Sequence, residues 1–138
     1  MSFDRPIVID TGVWVNAAIR PQSVPALALE RALLHYEVCV SPATLAELQT
    51  VLMRPKFERY ASITARQAFV DGLRLHLRRV EVTQQVKEGI DPKDDKFLAL
   101  ALAVSAEMIV ASDPHLTQMH AWRAIPILPP AAFLVYAR

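Results

Sequence analysis

Four carboxylate residues, far apart in the sequence, each stand where one expected secondary-structure element gives way to the next. Two follow short apolar runs, residues 7–9 and 108–111, one opens an apolar helical segment, and one lies one turn into another such segment; in this order they are Asp10, Asp113, Asp95 and Glu47. Carboxylate oxygens gathered in one place bind hard divalent cations such as Mg²⁺ and Mn²⁺. If the fold brings these four residues together, they form a metal site.

Any one of these residues has a simpler explanation, because Asp commonly caps turns and helices through backbone hydrogen bonds. Glu47 taken alone is typical of a solvated helix position. Their joint placement is harder to explain locally, because several carboxylates at one edge of a sheet repel each other unless a cation lies between them. A divalent metal ion accounts for all four residues at once.

The elements that must position these residues follow from the apolar pattern, in which strands alternate with helices. Short apolar, largely β-branched runs predict strands at residues 7–9, 38–40, 80–82, 108–111 and 125–128. Apolar residues at helical spacing predict helices near 13–20, 25–35, 42–53, 64–77, 91–106 and 131–136. This alternation predicts a parallel sheet covered by helices, whose strand ends and helix starts share one edge.

Capping residues mark three of the predicted helix starts. Ser41 precedes a proline and serves as an N-cap, and Asp91 stands before a proline in the same way. Thr64 with Gln67 three residues later has the spacing of a capping box. We therefore read Asp91 as a cap and not as a member of the metal site.

Composition limits the remaining possibilities. The chain has 138 residues, 53% of them hydrophobic, which predicts a single domain over residues 1–138. No apolar run reaches the length of a membrane span, and residues 1–6 lack the features of a signal peptide, so we expect a cytosolic protein. The single cysteine, Cys39, excludes an internal disulfide and a cysteine zinc site, and we expect it in the core. The net charge of +1 means that nucleic acid must be bound by local basic patches.

Four blocks of sequence, residues 7–15, 41–52, 91–101 and 106–113, resemble those of PIN domains in order and with fitting spacing. The ending, residues 125–134, is similar to the tail of PIN proteins that act as toxins of toxin–antitoxin systems. The resemblance implies a single PIN-like α/β domain whose parallel five-stranded sheet, flanked by helices, has the order 3-2-1-4-5. It also implies a metal-dependent endoribonuclease with one or two Mg²⁺ or Mn²⁺ ions. The acidic quartet would be Asp10, Glu47, Asp95 and Asp113.

The same resemblance implies partners. Toxins of this family cleave RNA, are silenced by a small antitoxin protein and commonly form homodimers. The chain departs from the family pattern at Gly12, where many members have Asn, and at Ala111, where many have Thr. Thr11 and Ser112 keep hydroxyl groups that can support the metal ligands. Asp94 can replace or join Asp95, and we prefer Asp95 because its distance along the chain from Asp113 fits the family better.

Two basic clusters are candidates for contacts to RNA phosphates, although either is also typical of a solvated face. The cluster after Glu47 is the better candidate, and Phe57 and Tyr60 lie within it as possible stacking residues. Trp14 could stack in the same way, although packing explains it more simply. His115 lies two residues past Asp113, close enough to contact a phosphate. The first cluster is Arg54, Lys56 and Arg59; the second is Arg74, Arg78 and Arg79.

Other functions are consistent with parts of this pattern. A housekeeping RNA-processing nuclease would have the same quartet as a toxin. A structure-specific DNA nuclease of related fold carries long helical insertions, for which 138 residues leave little room. A phospho-acceptor receiver domain needs an acidic pair after its first strand and a lysine after its last, and neither is present. A non-catalytic PIN binding module would not need all four acids.

Overall fold

The computed structural model describes residues 5–137 and contains one sheet of five parallel strands. The sheet order is β3-β2-β1-β4-β5, and every neighbouring pair is parallel, which confirms the predicted fold class and order. The predicted lack of a signal peptide rests on residues 1–6, of which the first four lie outside the described residues. The strands are β1 (Pro6–Ile9), β2 (Glu37–Val40), β3 (Arg78–Arg79), β4 (Met108–Val110) and β5 (Ile127–Leu128).

Seven α-helices, counted over residues 5–137, connect and cover the strands. Short 3₁₀ turns at Pro55–Phe57, Arg74–His76 and Pro92–Asp94 lie between some of them. The last of these turns runs directly into α5, so the predicted single helix over 91–106 is in fact a 3₁₀ turn followed by an α-helix. The helices are α1 (Thr11–Ile19), α2 (Val24–His35), α3 (Pro42–Leu52), α4 (Ile63–Leu73), α5 (Asp95–Val104), α6 (Pro114–Thr117) and α7 (Pro130–Tyr136).

The helix caps follow the sequence in two of three cases. Ser41 caps α3, and its hydroxyl accepts a hydrogen bond from the Thr44 N–H at 3.1 Å. Asp91 caps the 3₁₀ turn before α5, as expected. The predicted Thr64 cap is wrong, because Ser62 accepts from the Ala65 N–H at 3.1 Å and starts α4 two residues earlier. Ser and Thr are both favoured N-cap residues, so the sequence alone does not decide whether Ser62 or Thr64 begins the helix.

The third strand also differs from the prediction. Residues 80–82 alternate like a strand, but β3 is formed by the two exposed residues before them, which pair with Cys39 and Val40. Val80 and Val82 instead pack against the hydrophobic core. An edge strand made of two exposed arginines has no apolar signal to identify it.

The core has two parts, one on each face of the sheet. Along β1, Ile7 and Ile9 belong to one cluster with α1, α2 and α3, while Val8 belongs to the other with α5. This alternation is the period of two that strand geometry requires. Fully burying an aliphatic side chain contributes roughly 1.5–3 kcal/mol, so the two clusters fix the sheet between its helix layers. Cys39 is buried in the second cluster, as expected. No helix within residues 5–137 is both long and apolar enough to cross a membrane.

Candidate active site

Asp10 lies at the carboxyl end of β1 and joins three segments of backbone. Its Oδ1 atom accepts a hydrogen bond from the Val13 N–H at 3.0 Å and so caps α1. Its Oδ2 atom accepts from the N–H groups of Ser112 and Asp113 at 3.0 and 3.1 Å. The neighbouring strands β1 and β4 pair Ile9 with Val110, which brings the residues that follow each strand side by side.

The Asp10 side chain is buried, with 3% of its surface exposed. Burial raises the pKa of Asp10 to about 6, although the three backbone N–H donors act in the opposite direction. The Asp113 carboxylate adds a smaller upward contribution to this pKa. A cation beside Asp10 would offset the free-energy cost of burying its negative charge, as expected for a metal ligand.

Asp94, at the end of the 3₁₀ turn before α5, is the most unusual of the acidic residues. Only 7% of its surface is exposed, and its Oδ2 atom is buried without a hydrogen-bond partner among residues 5–137. Burial, followed by the neighbouring Asp113 carboxylate, raises the pKa of Asp94 to about 8. Buried carboxylate oxygens normally accept hydrogen bonds. An oxygen that accepts none and lies among other carboxylates is suited to bind a cation.

Asp95, which the sequence favoured, does not point into this group. Its Oδ1 atom accepts a hydrogen bond from the Gly89 N–H at 2.8 Å. The structure places Asp94, and not Asp95, among the residues that line the cavity. Asp94 ends the 3₁₀ turn and Asp95 begins α5, and successive residues of such helices project roughly 100–120° apart, so the two side chains face different directions.

Glu47 reaches the site from the middle of α3. Its Oε2 atom accepts a short hydrogen bond from the Thr11 hydroxyl, and its Oε1 atom lies 2.7 Å from the Lys96 ammonium. Glu47 and Lys96 side chains are each 26% exposed, so this ion pair lies at the mouth of the site. Glu47 is thus held between α1 and α5, with its carboxylate directed toward the acidic group.

Gly12, where the chain departs from the family pattern, lies against Ser112. A Cβ atom at Gly12 would collide with the Ser112 Oγ atom and lie 3.7 Å from the Asp10 Oδ1 atom. The absence of a side chain at Gly12 therefore leaves room for the Ser112 hydroxyl. The hydroxyl that many family members carry at position 111 is here one residue later.

A cavity of about 240 Å³ opens at this edge of the sheet. It gathers the predicted residues Asp10, Glu47 and Asp113 together with Asp94, and it also includes Thr11 and Ser112. Asp91, read from the sequence only as a cap, lines it too. Its position in the same acidic turn as Asp94 is the sequence signal that could have identified it. The remaining lining residues are Gly12, Val51, Arg54, Lys93 and Phe97.

Asp91, Asp94 and His115 form a second possible ligand set at the rim. Each offers one ligand atom, and these atoms lie within 4.8 Å of one another. The His115 Nδ1 atom lies 3.7 Å from Asp91 Oδ2 and 3.8 Å from Asp113 Oδ1. Carboxylate oxygens with one imidazole nitrogen suit Mn²⁺ and similar divalent metals, so the donors of the site fit such an ion.

The sequence pattern that defines the PIN domain matches residues 6–115 of the chain. None of the curated proteins matches the chain significantly in sequence.

Three solved structures are similar to the chain. VapBC2 from Rickettsia felis, bound to a DNA fragment from their promoter, aligns with a TM-score of 0.62 at 15% identity over 90% of this chain and 98% of that one. VapC20 from Mycobacterium tuberculosis, a sarcin–ricin loop cleaving toxin, gives 0.53 at 18% identity over 78% and 89%. PAE2754 from Pyrobaculum aerophilum gives 0.66 at 12% identity over 97% and 90%. At these identities the likeness is one of fold.

Proposed function

The chain belongs to the PIN domain family, and on that premise we propose that it is a metal-dependent endoribonuclease, the toxin of a type II toxin–antitoxin pair. The observation that carries this proposal is the acidic cavity around the buried, unpartnered oxygen of Asp94. Core packing does not explain this group of acids, because carboxylates placed so close together repel each other. A polyanionic substrate could approach it only with cations in place.

We assign Asp10, Asp94 and Asp113 as the residues that hold Mg²⁺ or Mn²⁺, as one or two ions, with Glu47 as the fourth acid. Bound there, the metal would activate water and neutralise the scissile phosphate. Asp10 fixes the geometry, since its own hydrogen bonds hold the backbone that carries Asp113. Thr11 and Lys96 orient Glu47, which can direct or deprotonate the attacking water.

RNA is the proposed substrate for two reasons. VapC20, whose fold resembles that of the chain, is a toxin that cleaves the sarcin–ricin loop. Arg54 and Lys93 also line the acidic cavity, and basic groups beside a metal centre suit a phosphodiester backbone. The alternatives are a housekeeping RNA-processing nuclease, a structure-specific DNA nuclease and a non-catalytic PIN binding module. The first differs from the proposal only in its biological control.

The proposed partner is a small antitoxin that covers the acidic cavity. One structure of similar fold is that of VapBC2 on a fragment of promoter DNA, which supports a partner of this kind. An arginine from the antitoxin could pair with the carboxylates in two-pronged geometry and displace the metal. We also propose a cytosolic homodimer. Helix α2 supports an interface, because Leu27 and Leu34 are 50% and 70% exposed on it.

The experiment that tests the proposed function compares cleavage of single-stranded RNA, structured RNA and branched DNA by the purified chain in Mg²⁺ or Mn²⁺. We expect cleavage of RNA by the wild type and by the control variant Glu81→Gln, an exposed acid outside the cavity. Asp10→Asn should lose activity by at least about 10²-fold, as for a principal electrostatic contribution. Cleavage of DNA alone would favour the structure-specific nuclease, and equal activity in Asp10→Asn would refute the proposed centre.

The toxin assignment has a separate test. Expression of the wild-type chain should slow growth, and Asp10→Asn should relieve the effect. Harmless expression of a chain that still cuts RNA in vitro would favour the housekeeping nuclease.

A further inference from the structure

Arg66 is the largest of the fully buried side chains described, with 2% of its surface exposed. Its guanidinium Nε donates to the Ala61 carbonyl at 2.9 Å, and Nη1 donates to the Leu52 and Arg54 carbonyls at 2.9 and 3.2 Å. Its Nη2 lies 2.5 Å from Glu58 Oε2. Burying a guanidinium costs several kcal/mol unless its donors are paired, so this residue has a demanding structural task.

All four acceptors of Arg66 lie in one segment, residues 52–61, which runs from the last residue of α3 into the connection to α4. Arg66 therefore fixes the backbone of a stretch that has only one short 3₁₀ turn of its own. We call residues 54–60 the basic loop. It carries Arg54, Lys56 and Arg59, and its one acid, Glu58, is already paired with Arg66.

The basic loop starts at the acidic cavity. Arg54 lines the cavity, while Lys56 and Arg59 are exposed further along. Arg20, from the turn after α1, joins this surface: its guanidinium carbon lies 5.6 Å from the centre of the Tyr60 ring, and that of Arg59 lies 5.3 Å from it. Over residues 5–137, none of these four basic residues forms an ion pair with a carboxylate.

Tyr60 is 45% exposed, and the Arg20 and Arg59 guanidinium groups lie near its ring. Single-stranded nucleic acid is commonly bound by basic side chains along its backbone and aromatic side chains that stack on its bases. The net charge of the chain is only +1, so these four cations, two of them beside the Tyr60 ring, are a local concentration and not a general property of the surface. A protein partner rich in Lys and Arg would be repelled here.

We infer that the basic loop, with Arg20, is the surface that binds the single-stranded RNA backbone leading into the cavity. Arg54 contacts the phosphate nearest the acidic residues, Lys56, Arg59 and Arg20 contact phosphates further along, and Tyr60 stacks on a base. This inference rests on the proposed function and specifies how its substrate is held. Arg66 acts only as a positioning residue, which keeps the basic loop in shape.

The test measures RNA binding without cleavage, in Asp10→Asn protein, by fluorescence anisotropy of a single-stranded RNA at several salt concentrations. Arg54→Gln and Arg59→Gln should each weaken binding several-fold and lower the salt slope by about 1, as for loss of one phosphate contact. Tyr60→Leu should weaken binding roughly tenfold and leave the salt slope unchanged. The matched control is Arg79→Gln, an exposed arginine of β3 in the second basic cluster, which the inference leaves outside the RNA surface; it should leave both quantities unchanged.

Circular dichroism and the Tm of each variant establish that it is folded. If Arg54→Gln and Arg59→Gln bind RNA like the Arg79→Gln control, the inference is wrong. It is also wrong if they leave RNA binding intact and weaken binding of an antitoxin instead, because the surface would then serve a protein. The proposed function fails separately, if the wild-type chain with Mn²⁺ does not cut RNA at all.

Discussion

The Oδ2 atom of Asp10 accepts a hydrogen bond from the backbone N–H of Asp113, 103 residues away, at 3.1 Å. One acidic residue of the proposed centre thus holds the backbone of another. The Oδ1 atom of Asp10 caps α1, so both oxygens already have structural tasks before any ion binds. The Oδ2 atom also accepts from the Ser112 N–H, so both of its lone pairs are used, whereas Oδ1 accepts one hydrogen bond and keeps a lone pair for a cation. The hydrogen bonds that assemble the site are therefore the same ones that join the segments following β1 and β4.

Asp94 and Asp95 can be separated by the same substitution. Asp94→Asn should lower RNA cleavage by at least about 10²-fold, because it removes a buried carboxylate of the metal site. Asp95→Asn should retain most of the activity, since Asp95 only accepts from the Gly89 N–H. The rates are measured at saturating Mn²⁺. The opposite ranking would restore the sequence-based choice of Asp95.

The metal-free protein should lose stability as the pH rises. Folding raises the pKa of Asp10 to about 6 and that of Asp94 to about 8, whereas an unfolded Asp titrates near 3.9. At pH values between the unfolded and the folded pKa, the folded state therefore binds more protons than the unfolded state. The contribution of these two groups to stability is highest below about pH 4 and is lost progressively up to about pH 8.

Thermal unfolding in chelator between pH 5 and pH 8.5 checks this sign. We expect the Tm of the wild type to fall over that range and the Tm of Asp94→Asn to fall less. Excess Mn²⁺ should flatten the wild-type curve, because a bound cation favours the ionised carboxylates. A wild-type Tm that rises with pH in chelator would contradict the burial of these two acids without a counterion.

Lys96 should compete with the metal for Glu47. The ammonium lies 2.7 Å from Glu47 Oε1, and a cation in the cavity would experience its repulsion. Lys96→Met should tighten Mn²⁺ binding roughly three- to tenfold, the effect of one partly screened charge. Lys96→Arg keeps the charge and serves as the control. Isothermal titration with Mn²⁺ measures both, and unchanged affinity in Lys96→Met would show that the ion lies away from Glu47.

Gly12 and Ser112 should be energetically coupled. A methyl group at position 12 must displace the Ser112 hydroxyl, and that cost opposes the gain of about 1 kcal/mol that Ala has over Gly inside a helix. Gly12→Ala should therefore be more stabilising in a Ser112→Ala background than in the wild type, by about 1 kcal/mol. Urea unfolding of the four proteins gives the coupling directly, and additive effects would mean that the two side chains do not meet.

The sequence predicted the sheet and most of the acidic cavity because these depend on strong local signals. Apolar runs identify the buried strands, and an acid directly after such a run must lie at the sheet edge. The sequence did not identify β3, because its two residues, Arg78 and Arg79, are exposed and carry no apolar signal. The order of the strands in the sheet came from the resemblance, since periodicity carries no information about which strands are neighbours.

The sequence could not show which of Asp94 and Asp95 faces the cavity, for a reason of geometry. A 3₁₀ turn, Pro92–Asp94, precedes α5 and has about 3.0 residues per turn, so it shifts the phase at which the following residues face the sheet. Spacing along the chain cannot reveal that shift. The sequence also carries no sign that Arg66 is buried or that Lys96 pairs with Glu47. A charged residue in a helix is expected to be solvated unless its distant partners are known.

The most direct test of the acidic cavity as a metal-dependent ribonuclease centre follows ion binding and RNA cleavage in one titration. Chelator-treated protein receives increasing Mn²⁺, and bound Mn²⁺ and the cleavage rate are measured on the same samples for the wild type and for Asp94→Asn. We predict no cleavage without metal, a rate that rises in parallel with occupancy in the wild type, and loss of both in Asp94→Asn. Full cleavage in chelator, or a rate independent of Mn²⁺ occupancy, would contradict the account.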